Sequence, residues 1–262
     1  MKLPFHFAKN YKRFLFNLSA SENPLYLSFY RYFYKPKPGS LSAFLDEYSK
    51  KHAPVTFLQI GANDGFIHDP IHKFIKRDHW KGVMLEPQPD VYKEYLIRLH
   101  QKRPEITAIN AALDIKNGTK TLYKIAISTE RWATGLSSFN KAVLIQKIQD
   151  GSLQKKALKE GLKIPEREED WIIGEEIDTI SPDALLEKFD KGGFQLLIID
   201  TEGFDFEIIK MLDLNRIDPE VIVYEEANFD EKTVKECQAH IARHGYAYRI
   251  IGKDVLATKI KD

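Results

Sequence analysis

The stretch Val55-Thr56-Phe57-Leu58-Gln59-Ile60-Gly61-Ala62-Asn63-Asp64-Gly65 constrains the fold more than any other part of this 262-residue chain. A short apolar, β-rich run ends in a small polar turn with two glycines, and a segment of helical character follows. That is the pattern of a buried strand feeding a ligand-binding turn. Glycine spacing limits what such a turn can hold. A dinucleotide fingerprint needs three glycines as G-x-G-x-x-G, whereas only Gly61 and Gly65 stand here. A phosphate-cradling loop needs a terminal Gly-Lys-Ser/Thr, which is absent. A nicotinamide dehydrogenase is therefore the weakest option. The turn favours a nucleoside without a phosphate chain, such as S-adenosylmethionine; taken alone, it reads equally well as a tight turn.

The rest of the chain alternates in kind. Ser40 to Lys51 reads as a helix, then comes the first strand, a helix over residues 69–79, and a second strand Trp80 to Pro87 ending at Glu86. A helix carrying Tyr92, Tyr95, Leu96 and Leu99 precedes a third strand, Ile106 to Ala112. Further on, Phe194 to Asp200 is apolar enough to be a central strand covered on both faces. A helix with Phe206, Ile209 and Leu212, the strand Val221 to Glu226, a helix from Asp230 to His244, and the strands Tyr246–Ile251 and Asp254–Thr258 complete the alternation. Strand–helix–strand order predicts a mostly parallel sheet with right-handed crossovers. Between the halves, Lys120 to Ser128 reads as a strand, Thr134 to Ser138 as a small-residue loop, and Trp171 to Ile180 as extended. The charged tract at about 138–170 reads as an insertion, helical with a break near Pro165. Ser181-Pro182 has the side chain and proline that start a helix.

Charge excludes some partners. Lys and Arg number 39 against 38 Asp and Glu, so no global field points to nucleic acid. Cys237 is the single cysteine, which precludes an internal disulfide and leaves no cysteine cluster for structural zinc; a reducing cytoplasm fits this usage. Lys9, Asn10, Lys12 and Arg13 interrupt any apolar leader near the start, and no run approaches the roughly 20 apolar residues of a membrane-spanning helix. Residues 1–39 form an arm set apart by composition, ahead of a main domain over 40–262. The arm carries Lys2, Lys9, Lys12, Arg13, Arg31, Lys35 and Lys37 against the single acid Glu22. Phe5, Phe7, Tyr11, Phe14, Phe16, Tyr26, Phe29, Tyr30, Tyr32, Phe33 and Tyr34 are interleaved with these charges. Such an arm either packs on the main domain or a second subunit, or docks peripherally on an anionic membrane surface or glycolipid at the inner face of the membrane.

In an open parallel sheet, ligands sit outside the carboxyl ends of the strands, near the point where strand order reverses. Five strand ends here carry small or acidic groups: Gly61 with Asn63 and Asp64, then Glu86, Asn110 with Ala111, Asp200 with Glu202, and Glu225 with Glu226. Their convergence on one rim is more specific than any single motif. Glu86 is placed to accept from both ribose hydroxyls. Asn110-Ala111-Ala112 offers a polar group and a flat apolar side to an adenine ring.

These residues resemble the FkbM-type S-adenosylmethionine-dependent methyltransferases. The resemblance rests on Phe57 to Gly65, Trp80 to Pro87, Asn110 to Asp114, Thr134 to Ser138, and Leu197 to Gly203 followed by Val221 to Glu226, in the family's order over roughly residues 53–228. It implies an α/β, Rossmann-like class I methyltransferase fold: a mostly parallel seven-stranded sheet with an antiparallel last strand and helices on both faces, here with an added N-terminal helical arm. It further implies O-methylation, commonly of a sugar or polyketide-type hydroxyl. By position, the turn from Gly61 through Asn63 and Asp64 to Gly65 wraps the methionine part of the cofactor, Glu86 holds the ribose, and Ala111 lies by the adenine. An acid often stands two residues before the first glycine in methyltransferases. Here it is Gln59, which can accept from the cofactor's amino group only without charge assistance.

An alcohol acceptor needs a base within reach of its proton. Candidates on the rim are Glu202, Asp200, His68, Asp64 and Glu225, with Glu202 and Asp200 favoured because they leave the central strand. The bland alternatives are that Glu202 caps the following helix, that His68 is an ordinary loop histidine, and that Asp69 caps the helix after Pro70. Asp64, His68, Asp200, Glu202 and Glu225 are also the oxygen and imidazole ligands a Mg²⁺-dependent hydrolase would use, and Asp200 with Glu225 would be the metal pair if a divalent ion assisted methyl transfer. A non-catalytic cofactor-binding scaffold in glycan assembly is the remaining alternative.

Overall fold

The order in which the strands lie side by side decides where a ligand can enter. A computed structural model describes residues 5–189 and 193–260. Its larger sheet has seven strands: β1 (Thr56–Ile60), β2 (Lys81–Leu85), β3 (Ile106–Ile109), β8 (Leu196–Ile199), β9 (Val221–Glu225), β10 (Tyr246–Ile251) and β11 (Asp254–Lys259). Across the sheet the order is β3-β2-β1-β8-β9-β11-β10. The first five of these pair in parallel, and β11 runs antiparallel to both neighbours. This is the class I methyltransferase arrangement, with strand order reversing between β1 and β8. The register sets Ile60 beside Leu85 on one side and Ile199 on the other, so Gly61, Glu86 and Asp200 leave the sheet at one level.

Both faces are covered, as the continuous apolar runs require. In β8, Leu197 and Ile199 join a core with Phe206, Ile209, Cys237 and Ile241 from the helices Asp205–Met211 and Glu231–Arg243. Leu196 and Ile198 point the other way, to Leu45, Phe74, Ile75 and Trp80 around the helices Leu41–His52 and His72–Asp78. Side chains cap the helix starts: Ser181 accepts from Ala184 N–H as predicted, and Ser40 from Ala43 and Asp230 from Thr233 do the same.

A second sheet departs from the expectation. The third strand does not run through Ala112: it breaks after Ile109, and β4 (Ala112–Leu113) joins β5 (Gly118–Ile125), β6 (Ser137–Ser138) and β7 (Ile172–Ile180) in the order β4-β7-β5-β6. The strand expected over Lys120 to Ser128 thus starts earlier and ends at Ile125. The charged tract supplies the helices Lys141–Gln149 and Ser152–Lys159. Leu144, Ile148, Leu153 and Ala157 from these helices close a small core with Ile125 and Trp171. Periodicity showed extended and helical segments here. Which strands would pair depended on long-range contacts that no local pattern encodes.

The N-terminal arm forms the helices Phe5–Ala20 and Pro24–Tyr32. Phe16 and Ala20 are buried against Leu99, and the buried Ser19 hydroxyl lies 3.0 Å from His72 Nε2. Glu22 bridges the buried Lys76, at 3.3 Å, and Arg103. One face of the arm is therefore part of the folded unit. Lys2 and the side chains of Phe5 and Phe7 lie outside the described residues. Among the described residues no helix is long and apolar enough to cross a membrane.

Candidate active site

The turn after β1 admits only glycine at its first position. Gly61 has φ +82, and a Cβ there would stand 2.0 Å from the Asp200 carbonyl oxygen. The close approach brings the β8 turn against the β1 turn, while Gly61 and Ala62 N–H both donate to Leu85 O. Three non-glycine residues nearby also hold left-handed backbone: Asn63 (φ 48), His68 (φ 61) and Glu202 (φ 53). Such conformations persist where the surroundings over-determine them.

Glu86 is buried at the end of β2. Its carboxyl accepts from Asn63 N–H at 2.7 Å and from Gln88 N–H at 2.9 Å. Burial, only partly offset by these donors, pushes it up to about 7. The Asn63 and Gln88 side-chain amides both donate to Thr134 O, at 3.0 and 2.8 Å, which ties the Thr134–Ser138 loop to this end of the sheet. Together these groups wall a hollow at the carboxyl edge of the sheet, open to solvent. Its sides are apolar, formed by Ala111, Leu113, Leu122, Phe139 and Ile208.

A second hollow adjoins the first and shares Gly61, Arg131, Gly135, Asp200 and Glu202 with it. Gln59, His68, Asp69, Lys253 and Asp254 complete its polar wall. Gln59 Nε2 donates to Asp69 Oδ2 at 2.8 Å, and its buried Oε1 has no partner among the described residues. Asp69 also accepts from Ile71 and His72 N–H in the turn that leads into the helix His72–Asp78, whose N-cap is Ile71 rather than the expected Asp69, and burial raises this acid to about 6. Burial likewise raises Asp254 to about 6.

Glu202 stands where the hollows meet. It does not cap the following helix: that helix begins at Asp205, and the left-handed turn directs the Glu202 carboxyl toward the cleft, within 3.5 Å of Asn228 Nδ2. Burial, then the neighbouring charges of Asp200 and Glu225, raise it to about 7. The turn is buttressed by the buried Asp205, whose carboxyl accepts from Thr201 N–H and Oγ1 and from Glu225 N–H; burial raises this acid to about 6.

Several expected contributors take other roles. Asn110 does not face the first hollow: its amide donates to Glu86 O and Pro87 O at 2.8 and 3.1 Å and so pins the β2 turn. Asp64 accepts from Phe66 and Ile67 N–H, both at Oδ1, in a local turn, and burial raises its pKa. Gly65 packs against the helical segment after β2, where a Cβ would meet Leu96 Cδ1 at 2.8 Å. Glu225 is ion-paired with Lys253. Among the described residues no group of three or more His, Cys, Asp or Glu side chains is arranged to hold a metal ion, so Asp64, His68, Asp200, Glu202 and Glu225 are not gathered into one ligand set. Arg131, Asp205, Lys253 and Asp254 were missed. Arg131 precedes the Thr134–Ser138 loop by three residues and Asp205 follows Gly203 by two, the only signals either offered.

The model of the methyltransferase FkbM domain matches residues 59–248. The chain belongs to the FkbM methyltransferase domain family. The match takes in the first hollow and all of the second but Lys253 and Asp254, running from Gln59 into β10. No curated protein matches the chain. Among solved structures it is similar to the human methyltransferase 10 domain containing protein, at 9% identity and TM-score 0.45 over 100% of both chains. It is similar also to the SAH-bound methyltransferase PaMTH1 of Podospora anserina, at 8% identity and TM-score 0.44 over 100% of this chain and 98% of that one. The O-methyltransferase from Bacillus cereus in complex with SAH is 10% identical, with TM-score 0.41 over 94% of this chain and 90% of that one.

Proposed function

We propose that this FkbM-family protein is an S-adenosylmethionine-dependent O-methyltransferase acting on a hydroxyl of a sugar or of a glycolipid or polysaccharide precursor. The observation that carries the reading is the two-part cleft at the β1/β8 switch point, with Glu86 in its apolar part and Asp200 and Glu202 where the parts join.

The donors and acceptors fit the cofactor's groups. Glu86 accepts from Asn63 N–H, from Gln88 N–H and, at 3.2 Å, from the Gln88 side-chain amide, so one lone pair is free for a ribose hydroxyl and a second becomes free when that amide turns wholly to Thr134 O. Ala111 and Leu113 give an adenine ring an apolar wall. The orphaned Gln59 Oε1 suits an ammonium donor, and Arg131, which lines both hollows, suits a carboxylate. Bound there, S-adenosylmethionine supplies a methyl on a positively charged sulfur, which leaves as a neutral thioether when an acceptor oxygen displaces it in line.

The chain's own part is alignment and proton removal. Glu202, raised toward neutrality, takes the acceptor hydroxyl's proton, and Asp200 beside it keeps that site negative. The polar wall of Asp200, Glu202, Lys253, Asp254 and His68 supports an acceptor rich in hydroxyls. Calorimetric titration with S-adenosylmethionine and S-adenosylhomocysteine on the wild type and on Glu86→Ala tests the reading. Binding to the wild type that is lost in the variant supports it and licenses a screen of glycans with a labelled methyl donor. No binding by the wild type at millimolar ligand overturns it.

A further inference from the structure

The helix Pro24–Tyr32 carries aromatic residues on two faces, and only one of them is used. Its inner face packs on the main domain: the Tyr30 ring lies 6.2 Å from the His72 ring, and the Tyr34 hydroxyl just beyond the helix accepts from Lys73 Nζ at 3.0 Å. Asn23 fixes the helix start by accepting from Leu25 and Tyr26 N–H. The outer face presents Leu25, Phe29, Tyr32 and Phe33, each 53 to 83% exposed, with Phe29 and Phe33 stacked on one another outside the protein. Their spacing of four, three and one residues keeps them on one side of the helix. Tyr11 and Phe14 are exposed on the preceding helix. Exposed aromatics at this density are not the scattered apolar residues of an ordinary surface.

The charges around them have one sign. Lys12, Arg13, Arg31, Lys35 and Lys37 are all exposed, and the arm's single acid, Glu22, is turned inward onto Lys76 and Arg103. A second copy of the chain seated on this face would set cationic rim against cationic rim, which like-charge repulsion opposes. An anionic bilayer offers the complement: headgroup phosphates for the basic side chains and an acyl boundary for the rings.

We propose that the outer face of the helix Pro24–Tyr32, with its flanking basic residues, docks the protein on anionic phospholipid surfaces. The inference is independent of the methyl-transfer reading, since none of these side chains lines the cleft. The test is co-sedimentation with vesicles of phosphatidylglycerol and phosphatidylcholine, against phosphatidylcholine alone. The wild type is expected to sediment with the anionic vesicles only and to be released by salt. Lys35→Glu with Lys37→Glu should lower partitioning about 30-fold. Phe29→Ser with Phe33→Ser should lower it more than about tenfold while leaving the thermal midpoint unchanged, because both rings are exposed. Failure of the wild type to bind anionic vesicles, or binding that neither variant weakens, overturns the proposal. So does a concentration-dependent dimer that Phe29→Ser with Phe33→Ser disperses in the absence of vesicle binding.

Discussion

The ionisation of Glu86 should control how tightly the first hollow holds a nucleoside. The side chain is 2% exposed, and burial raises its pKa from the ordinary 4.5 to about 7. The carboxylate can accept from two ribose hydroxyls while keeping its bonds from Asn63 and Gln88 N–H; the neutral acid has a proton to place and one acceptor fewer. Hydrogen bonds to a charged group contribute about 1.5–3 kcal/mol each, so losing the charged form weakens binding roughly 10- to 100-fold. At pH 5 only about 1% of a group with pKa 7 is ionised, and at pH 8 about 90% is. S-adenosylhomocysteine is the probe of choice, because its uncharged sulfur responds less than a sulfonium to the ionisation of Glu202. Its affinity, measured by calorimetry, should rise from pH 5 to pH 8, with about half a proton released per binding event near pH 7. Glu86→Gln should bind weakly and without that slope. Wild-type affinity flat across this range, or an unchanged slope in the variant, would refute the assignment of Glu86 to the ribose. The sign of the accompanying stability effect is fixed. Between about 4.5 and about 7 the folded acid keeps a proton that the unfolded chain has released, so the free protein should lose stability as pH rises through that window.

Glu202→Gln should lower kcat by about 10²–10⁴-fold and abolish the acidic limb of the rate profile near pH 7, with cofactor affinity little changed; a retained limb would mean that another group takes the proton. Gly61→Ala should cost about 3 kcal/mol or more, because its Cβ would meet Asp200 O at 2.0 Å in a left-handed conformation, and a thermal midpoint within a degree or so of wild type would contradict that geometry. Glu22→Gln leaves the buried Lys76 without its carboxylate, while Arg103 keeps Glu105, and should cost about 2 kcal/mol, with faster protease cleavage between the arm helices; denaturant unfolding measures the first and limited proteolysis the second.

Much of the fold was legible because the strands are buried on both faces. Leu196 to Ile199 and Val221 to Tyr224 are apolar without alternation, and the caps at Ser40, Ser181 and Asp230 mark helix starts by local hydrogen bonding alone. The acids at strand ends were legible for the same reason: a carboxylate directly after an apolar run sits on the rim of the sheet. The second sheet was not, since β4 and β7 pair across about 65 residues and neither carries a pattern that names its partner.

The sequence by itself determined which residues reach the rim: Gly61, Glu86, Ala111, Asp200 and Glu202 all arrive where the strand ends deliver them. It did not determine which of the rim residues turn toward the cleft. Asp64 and Asn110 are as polar as their neighbours, yet they are engaged by nearby backbone N–H and C=O groups. Glu202, in a left-handed turn held by Asp205, is directed into the cleft, and Arg131 enters from the start of the short helix Arg131–Thr134, whose end is tied down by Asn63 and Gln88. Strand position follows from burial, which a chain encodes residue by residue. Side-chain direction at a strand end follows from competition for buried hydrogen-bond partners, and that exists only once distant segments have met.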